Sequence, residues 1–220
     1  VTDVNAHPHR CGQVVLIHNG IIENYRELIM EYSLQGKIIS ETDSEVVAAL
    51  LDTFYDGDPI AAIKKTVKAL SGAFALCIMF QDIPGKIFAI RNVSPMVATS
   101  CEEGSIIASD LTAIVEFTKE YFVVPEYHIL ILSEDGIDVS TLKGQKVEPQ
   151  MLSVNWDIKS AQKGGYPFFM LKEIYEQPDA IRNTVAPRVS NGLPDFTTDG
   201  IDDSVFEGCK RVVIVACGTA

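Results

Sequence analysis

The sequence lacks the features that mark a membrane-spanning or secreted protein. Its longest apolar runs, Ala73–Phe80 and Val212–Cys217, are far shorter than the roughly 20 apolar residues that a helix needs to cross a bilayer. The opening residues, VTDVNAHPHR, contain no apolar segment of the kind found in signal peptides. We therefore expect this sequence to contain no membrane-spanning helix and no secretory leader.

Basic residues are also scarce. The chain has 18 Lys and Arg against 30 Asp and Glu, which gives a formal net charge of −12. Because nucleic acids and anionic membrane surfaces attract a basic protein face, we expect neither as a partner. The charge does not exclude sugar phosphates, since one local pocket of backbone N–H groups suffices to bind a small anion.

Cysteine pairs are absent as well. The five cysteines are odd in number, scattered, and form no CxxC pair, which argues against a disulfide framework. They are Cys11, Cys77, Cys101, Cys209 and Cys217. Cys77 and Cys217 lie in apolar runs typical of strands, so we expect buried free thiols there. A reducing cytoplasm is the simplest location for such a chain.

Apolar residues make up 47 % of the sequence, which is enough for a core, and their spacing predicts three early helices. We expect these helices from Ile21 to Gly36, from the capping box Thr42-x-x-Glu45 to Gly57, and from Asp58-Pro59 to Gly72. Helices that are grouped apart from the strands indicate layers in which helices cover sheet faces.

Paired strands follow these helices. Ala73–Phe80 and Lys86–Ile90 are predicted strands joined by a hairpin turn, and shorter strands continue to Leu142. One further helix is expected from Asp110 to Lys119. Strands linked by hairpins predict largely antiparallel sheets, so the fold class is α+β.

The last third of the chain differs in composition from the part before it. A polar stretch from Gln145 to Gly165 predicts a linker, and Phe168–Asn183 predicts a helix that Pro178 breaks or kinks. Arg211–Cys217 predicts a strand buried on both faces. Because an isolated buried strand needs partners, we expect the sequence to be cut at its C-terminal end.

The stretch VVLIHNGIIENY predicts a strand, Val14–Ile17, that passes through His18-Asn19-Gly20 into a helix starting at Ile21. The start of a helix leaves free backbone N–H groups, and a glycine there lets a ligand come close. With the side-chain amide of Asn19, this corner could form an oxyanion hole for acyl transfer. An ordinary Asn-Gly turn is the alternative interpretation.

Several motifs together resemble the glutamine–fructose-6-phosphate aminotransferase family, also called glucosamine-6-phosphate synthases. HNGIIEN and TDSE would also fit several other class II amidotransferases, although less well. KEIYEQP and ACGT make the resemblance specific to this family. The resemblance spans nearly the whole chain. Its motifs are NAHPH, VVLIHNGIIENY, SETDSEVVAAL, LSGAFAL, RNVSPM, IASD, FMLKEIYEQP and ACGTA.

The resemblance implies a glutamine amidotransferase fold of the N-terminal-nucleophile type, layered α/β/β/α and incomplete at its N-terminus. Residues 1–150 would form a partial class II glutamine amidotransferase domain. Residues 151–166 would be a linker, and residues 167–220 would begin an α/β sugar-phosphate isomerase (SIS) domain.

The family's enzymes hydrolyse glutamine, pass the ammonia to fructose 6-phosphate and isomerise the sugar to glucosamine 6-phosphate, the first step of hexosamine synthesis. The resemblance therefore implies glutamine and fructose 6-phosphate as partners, no cofactor, and a homodimer at full length. The site residues that it implies are Asn19 and Gly20 for the oxyanion hole, Asp43 for the α-ammonium of glutamine, His18 as a neighbour shaping the glutamine site, and Thr219 for the sugar phosphate.

The sequence departs from the family pattern at the nucleophile. The family uses a cysteine that is the first residue of the mature protein, with its own amine as the base, whereas residue 1 here is Val1. The family's arginine for the glutamine carboxylate lies upstream of NAHPH, and we expect Arg91 to make only a structural salt bridge. We therefore expect an internal fragment that releases no glutamate from glutamine.

Three further interpretations stand beside this one. His7 and His9 flank Pro8 without a carboxylate at ligand spacing, which predicts a structural turn and no metal site. A related amidotransferase with a phosphoribosyl acceptor is an alternative, against which KEIYEQP and ACGT speak. A truncated, non-catalytic protein that binds glutamine or sugar phosphate is another, although its open ends would favour aggregation.

Overall fold

The computed structural model describes residues 2–102, 104–154 and 164–213. The chain forms two compact units, Val1–Ile158 and Lys159–Ala220, and each has its own architecture. No helix in the described ranges is long and apolar enough to cross a membrane. The assignment of these parts to an amidotransferase domain, a linker and an isomerase domain stays a prediction.

Two antiparallel sheets form the framework of the first unit. Its strands are β1 (His9–Cys11), β2 (Val14–Ile22), β3 (Gly72–Phe80), β4 (Ile87–Asn92), β5 (Val97–Cys101), β6 (Gly104–Ala108), β7 (Glu120–Val123), β8 (His128–Ser133), β9 (Gly136–Thr141) and β10 (Leu152–Ser153). One sheet has the order β1-β2-β3-β4-β8-β9 and the other the order β10-β7-β5-β6. The predicted hairpin is confirmed, because β3 and β4 pair antiparallel.

Three helices precede β3: α1 (Tyr25–Glu31), α2 (Asp43–Phe54) and α3 (Pro59–Ala69). The predicted start of α2 is confirmed, since Thr42 Oγ1 accepts the Glu45 N–H at 3.3 Å. The Glu45 carboxylate accepts the N–H groups of residues 39 and 40, so the capping box is only half formed. At α3, Asp58 Oδ1 accepts the Ala61 N–H at 3.1 Å, as the Asp-Pro signal predicts.

Two hydrophobic cores lie on opposite faces of the six-stranded sheet. The first packs the sheet against the helices through residues such as Leu16, Ile22, Leu50, Ile63 and Leu76. The second packs the two sheets against each other through residues such as Ala75, Ala89, Met96, Phe122 and Leu130. The neighbours Leu76 and Ala75 belong to different cores because alternate residues of a strand face opposite sides. The order of layers is therefore helices, sheet, sheet, and a second helical layer is not among the described residues of this unit.

The predicted helix from Ile21 is wrong at its beginning. β2 continues through His18-Asn19-Gly20 to Ile22, paired with β3 up to Ile22↔Gly72. The helix α1 starts only at Tyr25, after Asn24, whose side chain donates to Ala69 O at 2.8 Å and accepts from Ser71 N at 2.9 Å. Strand pairing thus overrides the helical spacing of the apolar residues.

The predicted helix Asp110–Lys119 is also wrong. Only a 3₁₀ turn, Leu111–Ala113, forms there. Asp110 Oδ1 accepts both the N–H and the hydroxyl of Thr112 at 2.7 Å, which closes one turn and does not propagate a helix. Further along, Leu152–Ser153 pair with β7, although the sequence places them in the linker.

The second unit contains one long helix, α4 (Phe169–Val185), within its described residues. Pro178 lies inside α4 and does not end it, and Lys172 pairs with Glu176 at 3.6 Å across one turn. A short hairpin follows, with β11 (Val189–Ser190) paired to β12 (Leu193–Pro194).

The predicted strand Arg211–Cys217 falls mostly outside the described residues. Its described part, residues 211–213, is not a strand, and Val212 is 74 % exposed, contrary to the expected burial on both faces. A strand buried on both faces needs neighbours, and no described strand pairs with these residues.

The loop after β4 carries local strain. Arg91 holds it by donating to Val93 O at 3.0 Å and Ser94 O at 2.9 Å and by pairing with Glu126 at 3.8 Å, so the structural role expected of Arg91 is confirmed. Val93 has φ +63°, a left-handed conformation that a β-branched residue rarely adopts. Its side chain is 64 % exposed and adds little burial to offset the strain.

We expect Val93→Gly to raise the free energy of unfolding by about 1 kcal/mol, because relief of backbone strain exceeds the entropy that glycine adds to the unfolded chain. Chemical denaturation followed by circular dichroism measures the change. The control is Val123→Gly in β7, an exposed valine that has no positive φ and should lose stability when replaced. If both variants lost the same free energy of unfolding, backbone strain at Val93 would be contradicted.

Candidate functional site

The candidate site lies on an open edge of β2. β1 pairs with β2 only from Val14 to Leu16, so the rest of β2 has one described strand neighbour, β3. On the open side, His18 N–H donates to His7 Nδ1 at 3.4 Å and Ile22 N–H donates to Asp43 Oδ2 at 2.7 Å. This part of β2 is therefore an edge that receives side chains instead of a strand.

Gly20 presents its backbone N–H at that edge. Backbone groups of every second strand residue point to the same side, so the Gly20 N–H points the same way as those of His18 and Ile22. The residue is exposed. The free N–H predicted at this position thus arises from an unpaired strand edge and not from a helix start, which corrects the physical reason given by the sequence.

The backbone around Gly20 has no room for a side chain. Gly20 has φ +143°, and a Cβ built on it would lie 2.1 Å from the backbone oxygen of Ala73 on β3. Real Cβ atoms do not approach a carbonyl oxygen that closely, so either Gly20 stays glycine or the two strands must separate. The open edge and the tight strand pairing therefore both depend on this residue.

Asn19 points to the other face of the sheet. Its side chain lines a cavity of about 280 Å³ between the two sheets, together with Ile17, Cys77, Pro95 and Met96 among others. Because Asn19 and Gly20 are adjacent, the side-chain amide of one and the backbone N–H of the other lie at the same place along β2. Asn19 therefore lines the cavity, whereas Gly20 lies beside it on the strand edge and is not part of the cavity lining.

Asp43 is the first residue of α2 and faces the edge of β2. Its Oδ2 accepts the Ile22 N–H at 2.7 Å, and its Oδ1 lies 3.5 Å from the Ser44 hydroxyl, which donates to it. The carboxylate is half-buried and sits where the helix dipole favours negative charge. Lone pairs of its oxygens remain for a cation that approaches the open edge.

His18 is buried on the helix-facing side of β2, only 6 % exposed. Its Nδ1 lies 2.9 Å from Ser44 Oγ, and its Nε2 has no hydrogen-bond partner among the described residues. Burial lowers the pKa of His18 below its ordinary value, and the nearby Asp43 carboxylate opposes that effect. The ring is therefore neutral near pH 7.

The two histidines of the HPH motif serve as structural contacts. His9 Nε2 lies 3.1 Å from Thr42 Oγ1, the N-cap of α2, and the His7 ring packs edge-on against the His9 ring with centroids 5.0 Å apart. No group of three or more His, Cys, Asp or Glu within the described ranges is placed to hold a metal ion.

The described cysteines with shifted pKa values are not activated. Burial raises the pKa of Cys77 to about 11, and burial followed by the Asp52 charge raises that of Cys11. Reactive thiols have lowered pKa values, so neither is a poised nucleophile. Cys77 is a free thiol, as expected, but it is only partly buried and lines the inter-sheet cavity, whereas Cys217 and Thr219 lie outside the described residues.

Sequence reasoning missed two residues of the site. Ser44 joins His18 to Asp43, and Asn5 accepts the Glu41 N–H at 3.1 Å, which ties the N-terminal stretch to the loop before α2. The motif TDSE points to Ser44, but only the fold reveals that its hydroxyl turns towards β2.

Comparison with known proteins identifies the first half of the chain. The family described as "Glutamine amidotransferase domain" matches residues 5–116. Curated relatives named glutamine–fructose-6-phosphate aminotransferase (isomerizing) extend the similarity over the whole chain. Those from Symbiobacterium thermophilum and Aquifex aeolicus are both 40 % identical over 100 % of this chain, which spans 37 % and 36 % of their lengths.

Solved structures share the fold. The glutamine phosphoribosylpyrophosphate amidotransferase from B. subtilis has a TM-score of 0.54 and 23 % identity, covering 63 % of this chain and 32 % of its own. A glutamine aminotransferase class-II domain protein from Silicibacter pomeroyi has a TM-score of 0.50 and 13 % identity, covering 67 % of this chain and 74 % of its own. The antiparallel α+β arrangement predicted for a glutamine amidotransferase of the N-terminal-nucleophile type is confirmed.

We expect Gly20→Ala to lower the free energy of unfolding by about 3 kcal/mol or more, because the new methyl adds a clash with Ala73 O to the strained φ. Denaturant unfolding measures the loss. Gly104→Ala in β6 is the control, since Gly104 has φ +126° and nothing within 4 Å of its Cβ position. It should lose only the strain, about 1–3 kcal/mol. Equal losses in both variants would refute the clash.

Proposed function

This chain belongs to the glutamine amidotransferase domain family, and we propose that it binds glutamine as part of an enzyme that converts fructose 6-phosphate and glutamine into glucosamine 6-phosphate and glutamate. The chain spans little more than a third of the length of the curated relatives that carry this activity in their names. Its own contribution is the glutamine site on the edge of β2.

The observation that carries the proposal is the spacing of two groups on that edge. Gly20 and Ile22 are two residues apart along β2, a rise of about 7 Å, and Asp43 Oδ2 lies 2.7 Å from the Ile22 N–H. A glutamine laid along the edge places its α-ammonium at Asp43 and its side-chain amide at Gly20. An extended glutamine side chain fits this span.

Each group has a distinct role in acyl transfer. The carbonyl oxygen of the glutamine amide gains negative charge when a nucleophile attacks it, and the Gly20 N–H and the Asn19 amide donate to that oxygen. The Asp43 carboxylate neutralises the α-ammonium and fixes the substrate's direction. His18 supports this arrangement from the buried face, and Thr219 is proposed to contact the sugar phosphate.

The groups described above do not include the nucleophile that attacks the glutamine amide. In this family a cysteine with a free α-amine attacks the amide, and that amine acts as the base. The raised pKa values of Cys11 and Cys77 keep both thiols protonated near neutral pH, so neither is proposed as this nucleophile.

The full-length enzyme is proposed to be a cytoplasmic homodimer that needs no nucleic acid or membrane. The net charge of −12 supports the last point, because an acidic protein is repelled by both polyanionic surfaces. Residues 167–220 are proposed to begin the sugar-phosphate isomerase domain, with KEIYEQP inside α4.

We expect the ¹⁵N-labelled chain to bind L-glutamine with a dissociation constant of about 1 mM or weaker, a few kcal/mol of interaction. The amide signals of Gly20 and Ile22 should shift during an NMR titration. N-acetyl-L-glutamine, which lacks the ammonium group, should not bind. Asp43→Asn should weaken binding at least about tenfold, whereas Glu41→Gln, an exposed acid nearby, should not. Equal binding of both ligands would contradict the role of Asp43.

The sugar acceptor is tested on the full-length enzyme. We expect fructose 6-phosphate and glutamine to give glucosamine 6-phosphate and glutamate in equal amounts, since each ammonia released is transferred. Phosphoribosylpyrophosphate should give no aminated product. Detection by mass spectrometry separates the two acceptors, and amination of the phosphoribosyl compound alone would favour the alternative amidotransferase.

A further inference from the structure

A buried hydroxyl connects the back of the site to its front. Ser44, the second residue of α2, is 4 % exposed. Its Oγ lies 2.9 Å from His18 Nδ1 and 3.5 Å from Asp43 Oδ1. The three side chains therefore form a row that starts at the buried ring on β2 and ends at the carboxylate on the open edge.

The protonation of this row follows from its chemistry. The Ser44 hydroxyl has one hydrogen, so a hydrogen bond to Asp43 Oδ1 at 3.5 Å requires that hydrogen to point to the carboxylate and not to His18 Nδ1 at 2.9 Å. The serine oxygen is then an acceptor for His18, which must carry its proton on Nδ1. This makes Nε2 an acceptor, whereas the opposite tautomer would let the ring donate towards the Ala73 backbone and accept from Ser44, so the position of the proton decides between the two arrangements.

The charges around the row are consistent with a neutral ring. Burial lowers the pKa of His18 most, and the nearby His7 and His9 lower it further, while Asp43 on α2 and the Ala73 backbone raise it. The other acid of the first helical turn, Glu45, is buried and accepts two backbone N–H groups before α2. Ser44 is thus the hydrogen-bond partner through which the ring contacts the carboxylate.

We propose that Ser44 is a positioning residue that, held by His18, fixes the Asp43 carboxylate in the orientation that receives the α-ammonium of the substrate. The inference rests on the proposed glutamine site. Without Ser44, Asp43 would keep one anchor, the Ile22 N–H on Oδ2, and could rotate about its side-chain bonds. With Ser44, the second oxygen, Oδ1, also has a contact, at 3.5 Å, which restricts that rotation.

The same pair does not supply a nucleophile. A serine next to a histidine is also the arrangement that activates serine for acyl transfer. That chemistry needs the oxygen to reach a substrate, whereas Ser44 is buried on the helix side of the sheet, away from the cavity that Asn19 lines. Its hydroxyl acts on the substrate only through Asp43.

The test compares Ser44→Ala with Ser44→Thr, which restores the hydroxyl. We expect Ser44→Ala to weaken L-glutamine binding about tenfold in the NMR titration, and Ser44→Thr to stay within about threefold of the wild type. Thr66→Val is the control, since it removes a buried hydroxyl without a partner in the described structure, and it should leave binding unchanged. Thermal unfolding of each variant separates weak binding from poor folding.

The ring of His18 provides a second measurement that does not depend on glutamine. The ¹⁵N shifts of its two nitrogens report which one carries the proton, and we expect Nδ1 in the wild type and a changed mixture in Ser44→Ala. A proton on Nε2 in the wild type, or unchanged binding in a folded Ser44→Ala variant, would overturn the proposal. If the wild type binds no glutamine, the proposed function fails, while the ring shifts still decide whether the hydrogen-bonded row exists.

Discussion

β2 and β3 pair continuously from Val14↔Phe80 to Ile22↔Gly72, and this register places the groups that β2 contributes to the candidate site. Because strand side chains alternate between faces, a slip by one residue would turn His18 towards the second sheet and Asn19 towards the helices. Gly20 is the point at which the register is most demanding, since any side chain there would meet the Ala73 oxygen. The pairing thus fixes both the fold of the sheet and the direction of the site's donors.

The second constraint is the docking of α2 on the open edge of β2. Its first turn contacts the strand at two places, through Asp43 to the Ile22 N–H and through Ser44 to the His18 ring. The N-cap Thr42 adds a contact to His9 on β1. These polar contacts lie at the border of a large apolar core. The core holds α2 against the sheet, and the polar contacts fix the position of its first turn relative to β2. The carboxylate is consequently positioned by the fold as a whole.

The sequence predicted the elements of this arrangement better than their boundaries. Capping signals located α2 and α3, and the hairpin of β3 and β4 followed from its turn. The residues Asn19, Gly20 and Asp43 came from motifs, but the expected helix start at Ile21 was wrong. Helical spacing of apolar residues is a local signal, whereas the pairing of Ile22 with Gly72 joins residues far apart in the chain. Ser44 could not be predicted, because its role depends on where β2 passes the helix.

The site separates binding from reactivity. A backbone N–H on a strand neither titrates nor rotates, and the Asp43 carboxylate is held by the Ile22 N–H, so the groups of the proposed glutamine site have fixed directions. Cys77 lines the inter-sheet cavity together with Asn19, and burial raises its pKa to about 11, so at neutral pH it is a poor nucleophile. In the proposed function the attacking group is therefore neither Cys11 nor Cys77, and it would meet the substrate at the open edge of β2, where the Gly20 backbone is exposed and Asp43 binds the Ile22 N–H.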